Sequence, residues 1–411
     1  MPDFNPGPKI SQRARLCWLW PTIVGYLRHL EGQQYRQTTV SFNASGLLAF
    51  GEYTGRRGVS SLEQLPQWVS PFAAELPVQS PSSRKLQLLA MRFIRYLQLT
   101  KIIPASPAPT PAPYATLVED YLQFLRDHLG LGRETLKERR RQCENLLAFL
   151  AAQGEADLRT VRAEVIQRFI VWRSERYQRH SLQSVCSALR GFLSFLYQRR
   201  IIPLDLTAAV VSPRVYRQEQ CPRFLINSEI EAILAAINRD RPIGRRDLAM
   251  MLLLATYGLR GIEVIRLRLD DIDWQRQLLH IRKRKARNST IYPLSVSVGE
   301  AVIDYLRHAR PPSTHREVFL SIKAPFAPMV YSAGLAYRVK HYLARAGVSV
   351  ARPGTHSFRY SCAQRLFEQG MPLKTVGDYL GHCDPTTTQR YTKIALEQLR
   401  EVAAGDVEDI L

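Results

Sequence analysis

Five prolines crowd the stretch I-P-A-S-P-A-P-T-P-A-P at residues 103–113. Proline has no N–H for a helix or a sheet, and it restrains the residue before it to extended conformations. This stretch therefore predicts a semi-rigid polyproline spacer. Such a spacer separates the segments on its two sides, and we expect these segments to be separate domains.

The segments on the two sides of the spacer resemble each other. L-L-A-F at 47–50 returns at 146–149, and I-I-P at 102–104 returns at 201–203, in both cases 99 residues later. Two unrelated helical segments would seldom share one offset. We therefore predict that a small helical domain has been duplicated in tandem, the first copy being the degenerate one. The predicted parts are a first copy, a Pro-rich linker and a second copy: residues 1–103, 104–113 and 114–205.

Apolar residues in the second copy recur at helical spacing, which predicts helices that face a core. One such stripe consists of Leu117, Tyr121, Phe124 and Leu125. The charged faces left over include four basic residues that are candidates for phosphate contacts: Lys137, Arg139, Arg140 and Arg141. A charged face that only meets solvent fits the same pattern.

The charge balance favours a nucleic-acid partner. The chain of 411 residues has 57 Lys and Arg against 36 Asp and Glu, a formal net charge of +21. An excess of this size is typical of proteins that bind nucleic acid, because each phosphate that they neutralise releases counterions. A basic protein without any nucleic-acid role is the alternative on charge alone.

Six cysteines are scattered along the chain without a C-x-x-C pair. This distribution predicts neither a zinc site nor a disulfide framework, and it favours a reduced, cytoplasmic setting. The apolar run Leu16–Leu27 contains Pro21 and lacks a small-residue cleavage site, so we interpret it as an amphipathic helix. The run Leu248–Thr256 is far shorter than a membrane span, and no membrane partner is expected.

The strongest chemical signal is a set of six polar residues in the C-terminal part of the chain: Arg260, Lys285, His356, Arg359, His382 and Tyr391. They lie in the contexts T-Y-G-L-R-G-I-E at 256–263, H-S-F-R at 356–359 and L-G-H-C-D-P-T-T-T-Q-R-Y-T at 380–392. Basic side chains supply the charge and the protons that a phosphodiester reaction needs, and a tyrosine oxygen can attack phosphorus. The set predicts an enzyme that breaks and rejoins DNA.

The order of these motifs resembles that of the tyrosine recombinase (phage integrase) family. That family carries an Arg in a T-G-L-R-x-x-E context, a Lys in a β-hairpin, an H-x-x-R pair, an L-G-H motif and a Tyr nine residues after that His. All of these elements occur here in order over about residues 223–400, with nine residues from His382 to Tyr391. The resemblance implies that the six residues are catalytic and that neither a metal nor a cofactor takes part.

The resemblance also implies a mainly α-helical fold with a small β-hairpin or sheet in the catalytic domain. Two tandem SAM-like helical domains would bind DNA, the second copy being the family's core-binding domain. A linker at 206–222 and a catalytic domain with a C-terminal tail at 223–411 would follow. The first copy stands where many integrases have an arm-binding domain, and it could extend the DNA clamp, bind a partner subunit or do both.

The spacing inside the motifs predicts which side chains act together. His356 and Arg359 are three residues apart, so on a helix they share a face and can address one phosphate. Glu263 has the same spacing from Arg260, and we expect it to orient that guanidinium.

The resemblance implies a 3′-phosphotyrosine intermediate and a free 5′-hydroxyl. Tyr391 would attack phosphorus, His356 would accept or orient its proton, and His382 would donate to a nonbridging oxygen. A lysine on the hairpin would protonate the leaving 5′-oxygen, and Lys285 matches the family's position. Lys283 projects from the same face of the strand and is the alternative general acid.

The implied substrate is double-stranded DNA with inverted-repeat core sites, bound by a homotetramer on synapsed DNA. Other recombinases of the same element are further candidate partners. The extra N-terminal copy favours integration, excision or transposition of a mobile element, and resolution of chromosome or plasmid dimers is the alternative. A type IB-like topoisomerase and a non-catalytic DNA-binding regulator are alternatives from other classes.

Two further features belong to the catalytic segment. Ser228 and Glu231 have capping-box spacing, which predicts a helix capped by Ser228. Residues 395–411 hold an apolar stripe among charges. We expect this tail to pack either on its own catalytic domain or on a neighbouring subunit.

Overall fold

A computed structural model describes residues 13–76, 81–104, 114–155, 157–214, 224–282 and 289–381. By compactness the chain divides into two units, Pro104–Gln220 and the segments on either side of it. Large clusters of buried apolar residues lie within 14–103, 118–210 and 225–358. Each of these regions therefore has a hydrophobic core of its own, while the exact domain boundaries stay predictions.

Residues 20–99 form a helical bundle. Its helices α1 to α4 span Trp20–Gly32, Gln37–Gly55, Leu65–Glu75 and Pro81–Leu99, with a 3₁₀ turn at Leu62–Gln64. Ile23, Leu27 and Leu30 of α1 recur at helical spacing and are buried, because they share the face that meets the other helices. Tyr26 of α1 meets Phe93 of α4 edge to face, with ring centroids 5.5 Å apart. This contact joins the first helix of the bundle to the last.

Residues 115–198 form a second bundle of the same kind. Its helices α5 to α8 span Ala115–Leu129, Arg133–Ala152, Ala163–Ser174 and Arg179–Gln198, with a 3₁₀ turn at Leu158–Thr160. Val118, Leu122 and Leu125 of α5 are buried. Tyr121 of α5 meets Phe192 of α8 with ring centroids 5.2 Å apart. The first and last helices are again joined through a Tyr–Phe contact.

The two bundles also share the turn that follows their last helix. Lys101 and Arg200 occupy this turn with positive φ angles of 58° and 56°. The next N–H, of Ile102 or Ile201, donates to the carbonyl five residues back at 2.9 Å in both bundles. Shared element order, a shared aromatic contact and a shared left-handed turn support the predicted duplication.

Residues 227–380 fold into helices around a small sheet. Helices α9 to α15 span Asn227–Ala235, Pro242–Tyr257, Gly261–Ile265, Val296–His308, Ala333–Arg345, Thr355–Glu368 and Leu373–Leu380. Helix α10 lies at the centre, and Met250, Met251, Leu253 and Leu254 are fully buried because its sequence is apolar on nearly every side. None of the helices that the structure describes is long and apolar enough to cross a membrane.

The sheet is antiparallel in the order β1-β2-β3, spanning Ile272–Asp273, Leu278–Ile281 and Thr290–Pro293. Leu279 of β2 lies opposite Ile272 of β1 and Tyr292 of β3. Leu279 and Ile281 are buried and His280 between them is half-buried, as the two-residue period of a strand requires. The predicted mainly helical fold with a small sheet is confirmed.

The predicted cap of α9 is wrong. The helix begins at Asn227, and the carboxylate of Glu229 accepts the N–H of Ile226 at 3.1 Å. Glu229 occupies the third helical position, from which a side chain reaches back to the residue before the helix. Ser228 already lies inside the first turn, two positions after the cap residue Ile226.

Candidate active site

Arg260 lies at the junction between α10 and α11. Its guanidinium donates from Nη1 to Oε1 of Glu263 at 2.9 Å, and its backbone N–H donates to Oε2 of the same carboxylate at 2.8 Å. The Glu263 side chain is 6% exposed and the Arg260 side chain 20%. One nearly buried carboxylate therefore fixes both the backbone and the side chain of Arg260, as its spacing predicts.

The turn before Arg260 depends on Gly258. This residue ends α10 in the left-handed conformation, with φ at 60°, which favours glycine. A Cβ here would stand 2.8 Å from Cδ2 of Leu380 and 3.0 Å from Cβ of Cys362. A glycine is thus required both by the backbone angle and by the close approach of α14 and α15.

Arg359 lies on α14 and is only 3% exposed. Its Nη1 donates to the carbonyl of Gly258 at 2.7 Å, and its Nη2 donates to the carbonyl of Leu380 at 2.5 Å. These carbonyls are neutral acceptors, so they orient the guanidinium without cancelling its charge. A planar group with two parallel donors suits this bridging position.

Both arginines meet the carboxyl end of α15. Nη2 of Arg260 donates to the carbonyl of Gly381 at 3.0 Å, next to the Leu380 carbonyl that accepts from Arg359. The last carbonyls of a helix lack partners within the helix and carry partial negative charge, so cations are stable there. Two guanidiniums from motifs 99 residues apart are thereby placed side by side.

His356 is the second residue of α14, one turn before Arg359, and its side chain is exposed. Gly261 allows the start of α11 to lie against the start of this helix, since a Cβ on Gly261 would be 3.1 Å from Cγ2 of Thr355. The residue before His356 therefore touches the residue after Arg260. The structure brings His356, Arg260 and Arg359 into one neighbourhood.

The remaining candidates lie outside the described residues: Lys283, Lys285, His382, Tyr391 and the tail 395–411. The structure does describe the residues next to them in the chain. Strands β2 and β3 flank the segment that contains both lysines, and Gly381, which accepts from Arg260, directly precedes His382. Their catalytic roles stay predictions.

Cys362 is a thiol on the same helix as Arg359. Its Sγ donates to the carbonyl of Thr256 at 3.5 Å, and the residue is 2% exposed. Burial raises the pKa of the thiol above its ordinary value, so Cys362 stays protonated at neutral pH. It packs against the turn at Gly258, and these contacts support a packing role.

The four basic candidates in the second bundle do not form one cluster. Arg140 binds the carboxylate of Glu119 on α5 through both terminal nitrogens, and this contact lowers the pKa of Glu119. Arg139 turns towards α8, where its Nη2 donates to Oγ of Ser187 at 3.3 Å. Arg141 binds Glu138 on its own helix at 2.7 Å, and Lys137 is exposed. Their contacts with DNA stay predictions.

Sequence patterns missed the groups that hold the arginines in place. The carbonyls of Gly258, Leu380 and Gly381 are backbone acceptors, and no residue type signals them. The only sequence signal for this crowded turn is the pair of glycines in T-Y-G-L-R-G-I-E. Gly258 precedes Arg260 and Gly261 follows it, and glycines are favoured where backbones approach closely.

Two family models match the chain. Residues 223–398 match the phage integrase family, and residues 118–200 match the phage integrase N-terminal SAM-like domain. The integrase/recombinase y4rA of Sinorhizobium fredii is 38% identical over 293 residues, which are 71% of this chain and 71% of that protein. Tyrosine recombinase XerD of Vibrio cholerae is 27% identical over 296 residues, 71% of this chain and 96% of that protein.

Solved structures share the fold. A lambda integrase (75–356) dimer bound to a COC′ core site aligns with a TM-score of 0.53 and 18% identity, over 67% of this chain and 94% of that one. The XerH recombinase bound to palindromic difH aligns with a TM-score of 0.54 and 17% identity, over 83% and 96%. From its matched domains and its y4rA relative, the chain belongs to the phage integrase family of tyrosine recombinases.

Proposed function

We propose that this protein is a site-specific recombinase that cleaves and rejoins DNA through a 3′-phosphotyrosine intermediate. The phenolic oxygen of Tyr391 forms a bond to the scissile phosphorus, the bond to the 5′-oxygen breaks, and that oxygen leaves as a hydroxyl. Attack by a 5′-hydroxyl of another strand reverses the step and releases the tyrosine. The observation that carries this proposal is the convergence of Arg260 and Arg359 on one helix end.

The two arginines stabilise the charge that develops on phosphorus. The nonbridging oxygens become more negative in the pentavalent transition state, and each guanidinium offers planar paired donors to them. The carboxylate of Glu263 and the carbonyls at Gly258, Leu380 and Gly381 hold the donors before DNA arrives. Donors that need no rearrangement during the reaction give the largest electrostatic stabilisation.

Protons move through the remaining side chains. A phenol has a reference pKa near 10, so Tyr391 must lose its proton during attack, and His356 accepts or orients that proton. Lys285 donates a proton to the leaving 5′-oxygen, with Lys283 as the alternative donor. His382 donates a hydrogen bond to a nonbridging oxygen.

The reaction needs no external energy source. The phosphotyrosine bond conserves the energy of the broken phosphodiester, so rejoining requires no ATP. The cationic side chains named above supply the stabilisation of charge that a metal ion supplies in other phosphoryl-transfer enzymes. We therefore infer a recombinase that works without metal or nucleotide.

The substrate we infer is double-stranded DNA with inverted-repeat core sites, bound by four protomers. Supporting structures with the same fold are the lambda integrase dimer on its core site and a lambda integrase tetramer bound to a Holliday junction. The net charge of +21 suits a polyanionic partner.

The tail 395–411 is the candidate connector between protomers, and packing on its own catalytic domain is the alternative. Other recombinases of the same element are further candidate partners. Because the substrate is DNA, we infer that the enzyme works in the cytoplasm.

The biological role that we favour is integration, excision or transposition of a mobile element. The relative y4rA carries the name integrase/recombinase and aligns with 71% of this chain. The relatives named XerD favour the alternative, resolution of chromosome or plasmid dimers.

A plasmid assay separates the candidate activities. The binding site is first located by footprinting, and plasmids with one or two copies of it are incubated with the protein. A recombinase exchanges the flanks of paired sites, whereas a topoisomerase only relaxes supercoils on either plasmid. A non-catalytic regulator leaves both plasmids unchanged. Relaxation without exchange, or binding without cleavage, would contradict the proposal.

A further inference from the structure

Three tyrosines stand in a row where three elements of the active site meet. Tyr257 ends α10, Tyr292 lies in β3, and Tyr379 lies in the last turn of α15. The ring centroids of Tyr257 and Tyr292 are 5.2 Å apart, and those of Tyr292 and Tyr379 are 4.9 Å apart. We call these residues the tyrosine row. Its members lie on the elements that lead to Arg260, to the hairpin lysines and to His382.

Two tyrosine hydroxyl groups fix the carboxyl end of β3, and the first is that of Tyr257. The Tyr257 hydroxyl donates to the carbonyl of Pro293 at 2.9 Å and accepts the N–H of Ser295 at 2.8 Å. Tyr257 and Tyr292 are 3% and 2% exposed. A hydrogen bond between buried groups has a defined geometry, and its loss leaves a polar group without its partner. Tyr257 thus fastens the end of β3 to the helix that leads into Arg260.

The second link runs from β3 to α15. The Tyr292 hydroxyl donates to the backbone carbonyl of Tyr379. The next two carbonyls, of Leu380 and Gly381, accept from Arg359 and Arg260. Three consecutive carbonyls at one helix end therefore hold the hairpin strand and both guanidiniums in register.

We propose that Tyr292 is a positioning residue whose hydroxyl aligns the hairpin lysine with the phosphate that Arg260 and Arg359 hold. The strand of Tyr292 is the one that leaves the lysine-bearing turn, with Lys285 eight residues before Pro293. A shift of the strand against α15 changes the distance from the lysine to the leaving 5′-oxygen. This inference rests on the proposed cleavage chemistry.

The test removes one oxygen atom. Tyr292→Phe keeps the ring between Tyr257 and Tyr379 and deletes the hydroxyl that donates to the Tyr379 carbonyl. Tyr305→Phe is the matched control, because Tyr305 is fully buried in the same core and its hydroxyl accepts the N–H of Leu320 at 3.2 Å. Cleavage is followed on a nicked suicide substrate, together with DNA affinity and thermal unfolding of both variants.

We expect Tyr292→Phe to bind DNA within about twofold of the wild type and to cleave it at least about tenfold more slowly, the scale for a displaced reacting group. Tyr305→Phe should cleave at the wild-type rate. Cleavage by Tyr292→Phe within twofold of the wild type, or an equal loss in Tyr305→Phe, would overturn the proposal. Should Tyr292→Phe fail to fold, Tyr257→Phe removes the other link of β3 and is judged by the same outcomes.

A second substrate distinguishes positioning from a general loss of structure. When sulfur replaces the bridging 5′-oxygen, the P–S bond breaks and the sulfur leaves as a thiolate that needs no proton. Tyr292→Phe should then cleave within about twofold of the wild type, because the lysine is no longer required. A defect that persists on this substrate would refute a role in placing the lysine. If the wild type itself forms no adduct with DNA, that result contradicts the proposed function. A defect in Tyr292 variants can be judged only where the wild type cleaves.

Discussion

At the scale of single residues, the two arginines are held in different ways. Glu263 binds Arg260 with a carboxylate, whereas the carbonyls of Gly258 and Leu380 bind Arg359. The ammonium of a lysine cannot span two carbonyls and present paired donors to phosphate at the same time. Bridging geometry is thus expected to matter more than charge at position 359.

Arg359→Lys should reduce the cleavage rate by about 100-fold to 1,000-fold, the scale for losing one preorganised donor. DNA affinity should change far less, because the charge is retained. Single-turnover cleavage and a binding titration measure the two quantities. Arg266→Lys is the control, because Arg266 is an exposed arginine within residues 227–380, and this variant should cleave at the wild-type rate. Equal cleavage rates for both variants would show that position 359 needs only a positive charge.

Gly258→Ala should destabilise the protein more than a matched glycine change. Gly347 has a similar φ of 69° but nothing within 4 Å of the position of a Cβ, so Gly347→Ala isolates the backbone strain. We expect Gly347→Ala to lower the free energy of unfolding by about 1–2 kcal/mol. The overlap with Leu380 should cost Gly258→Ala a further ~1–3 kcal/mol. Denaturant unfolding measures both, and equal losses would mean that α15 does not press against this turn.

Residue identities in the motifs can be predicted from the sequence, but their acceptors cannot. The three-residue spacing of Arg260 and Glu263 predicts their contact, because both lie on one helical turn. The carbonyls that hold Arg359 come from segments 101 residues before it and 21 residues after it. Only the packing of α14 against α10 and α15 brings them together.

At the scale of elements, the bundles share a strained turn that can be relieved. Lys101 and Arg200 adopt left-handed backbone angles that cost little for glycine. Lys101→Gly and Arg200→Gly should each raise the free energy of unfolding by about 0.5–1 kcal/mol, the usual scale of backbone substitutions at such positions. Arg199→Gly, at an ordinary φ of −84°, should lower it. Urea unfolding of the three variants measures these changes. A rise in the free energy of unfolding in only one bundle would show that the two turns are not equally strained.

Long periodic helices are the elements that the sequence predicts best. The predicted stripe in α5 is confirmed, because a period of 3.6 residues leaves a clear pattern. Helix starts are harder to predict, as α9 shows, where Glu229 and not Glu231 reaches back. The tyrosine row has no sequence signature, since its three members come from separate elements.

At the scale of the whole molecule, the first bundle adds positive charge. Residues 13–103 contain eleven Arg and Lys against four Glu, a surplus of seven. Removal of residues 1–105 should leave a protein that binds and cleaves its site more weakly, with a shallower dependence of affinity on salt because fewer phosphates are contacted. Titrations at several salt concentrations measure this slope. An unchanged slope would assign the first bundle to a protein partner, and an insoluble product would show that it is not an independent domain.

In the proposed mechanism, Tyr391 becomes covalently joined to DNA. A suicide substrate traps the adduct, because the short strand after the cleavage site diffuses away and cannot be rejoined. Denaturing electrophoresis should show a protein band of lower mobility for the wild type and for Tyr197→Phe, an exposed phenol in the second bundle. Mass spectrometry should place the nucleotide on the peptide that contains Tyr391, and Tyr391→Phe should bind the DNA without forming the band. An adduct that survives in Tyr391→Phe, or that maps to another residue, would show that Tyr391 is not the nucleophile.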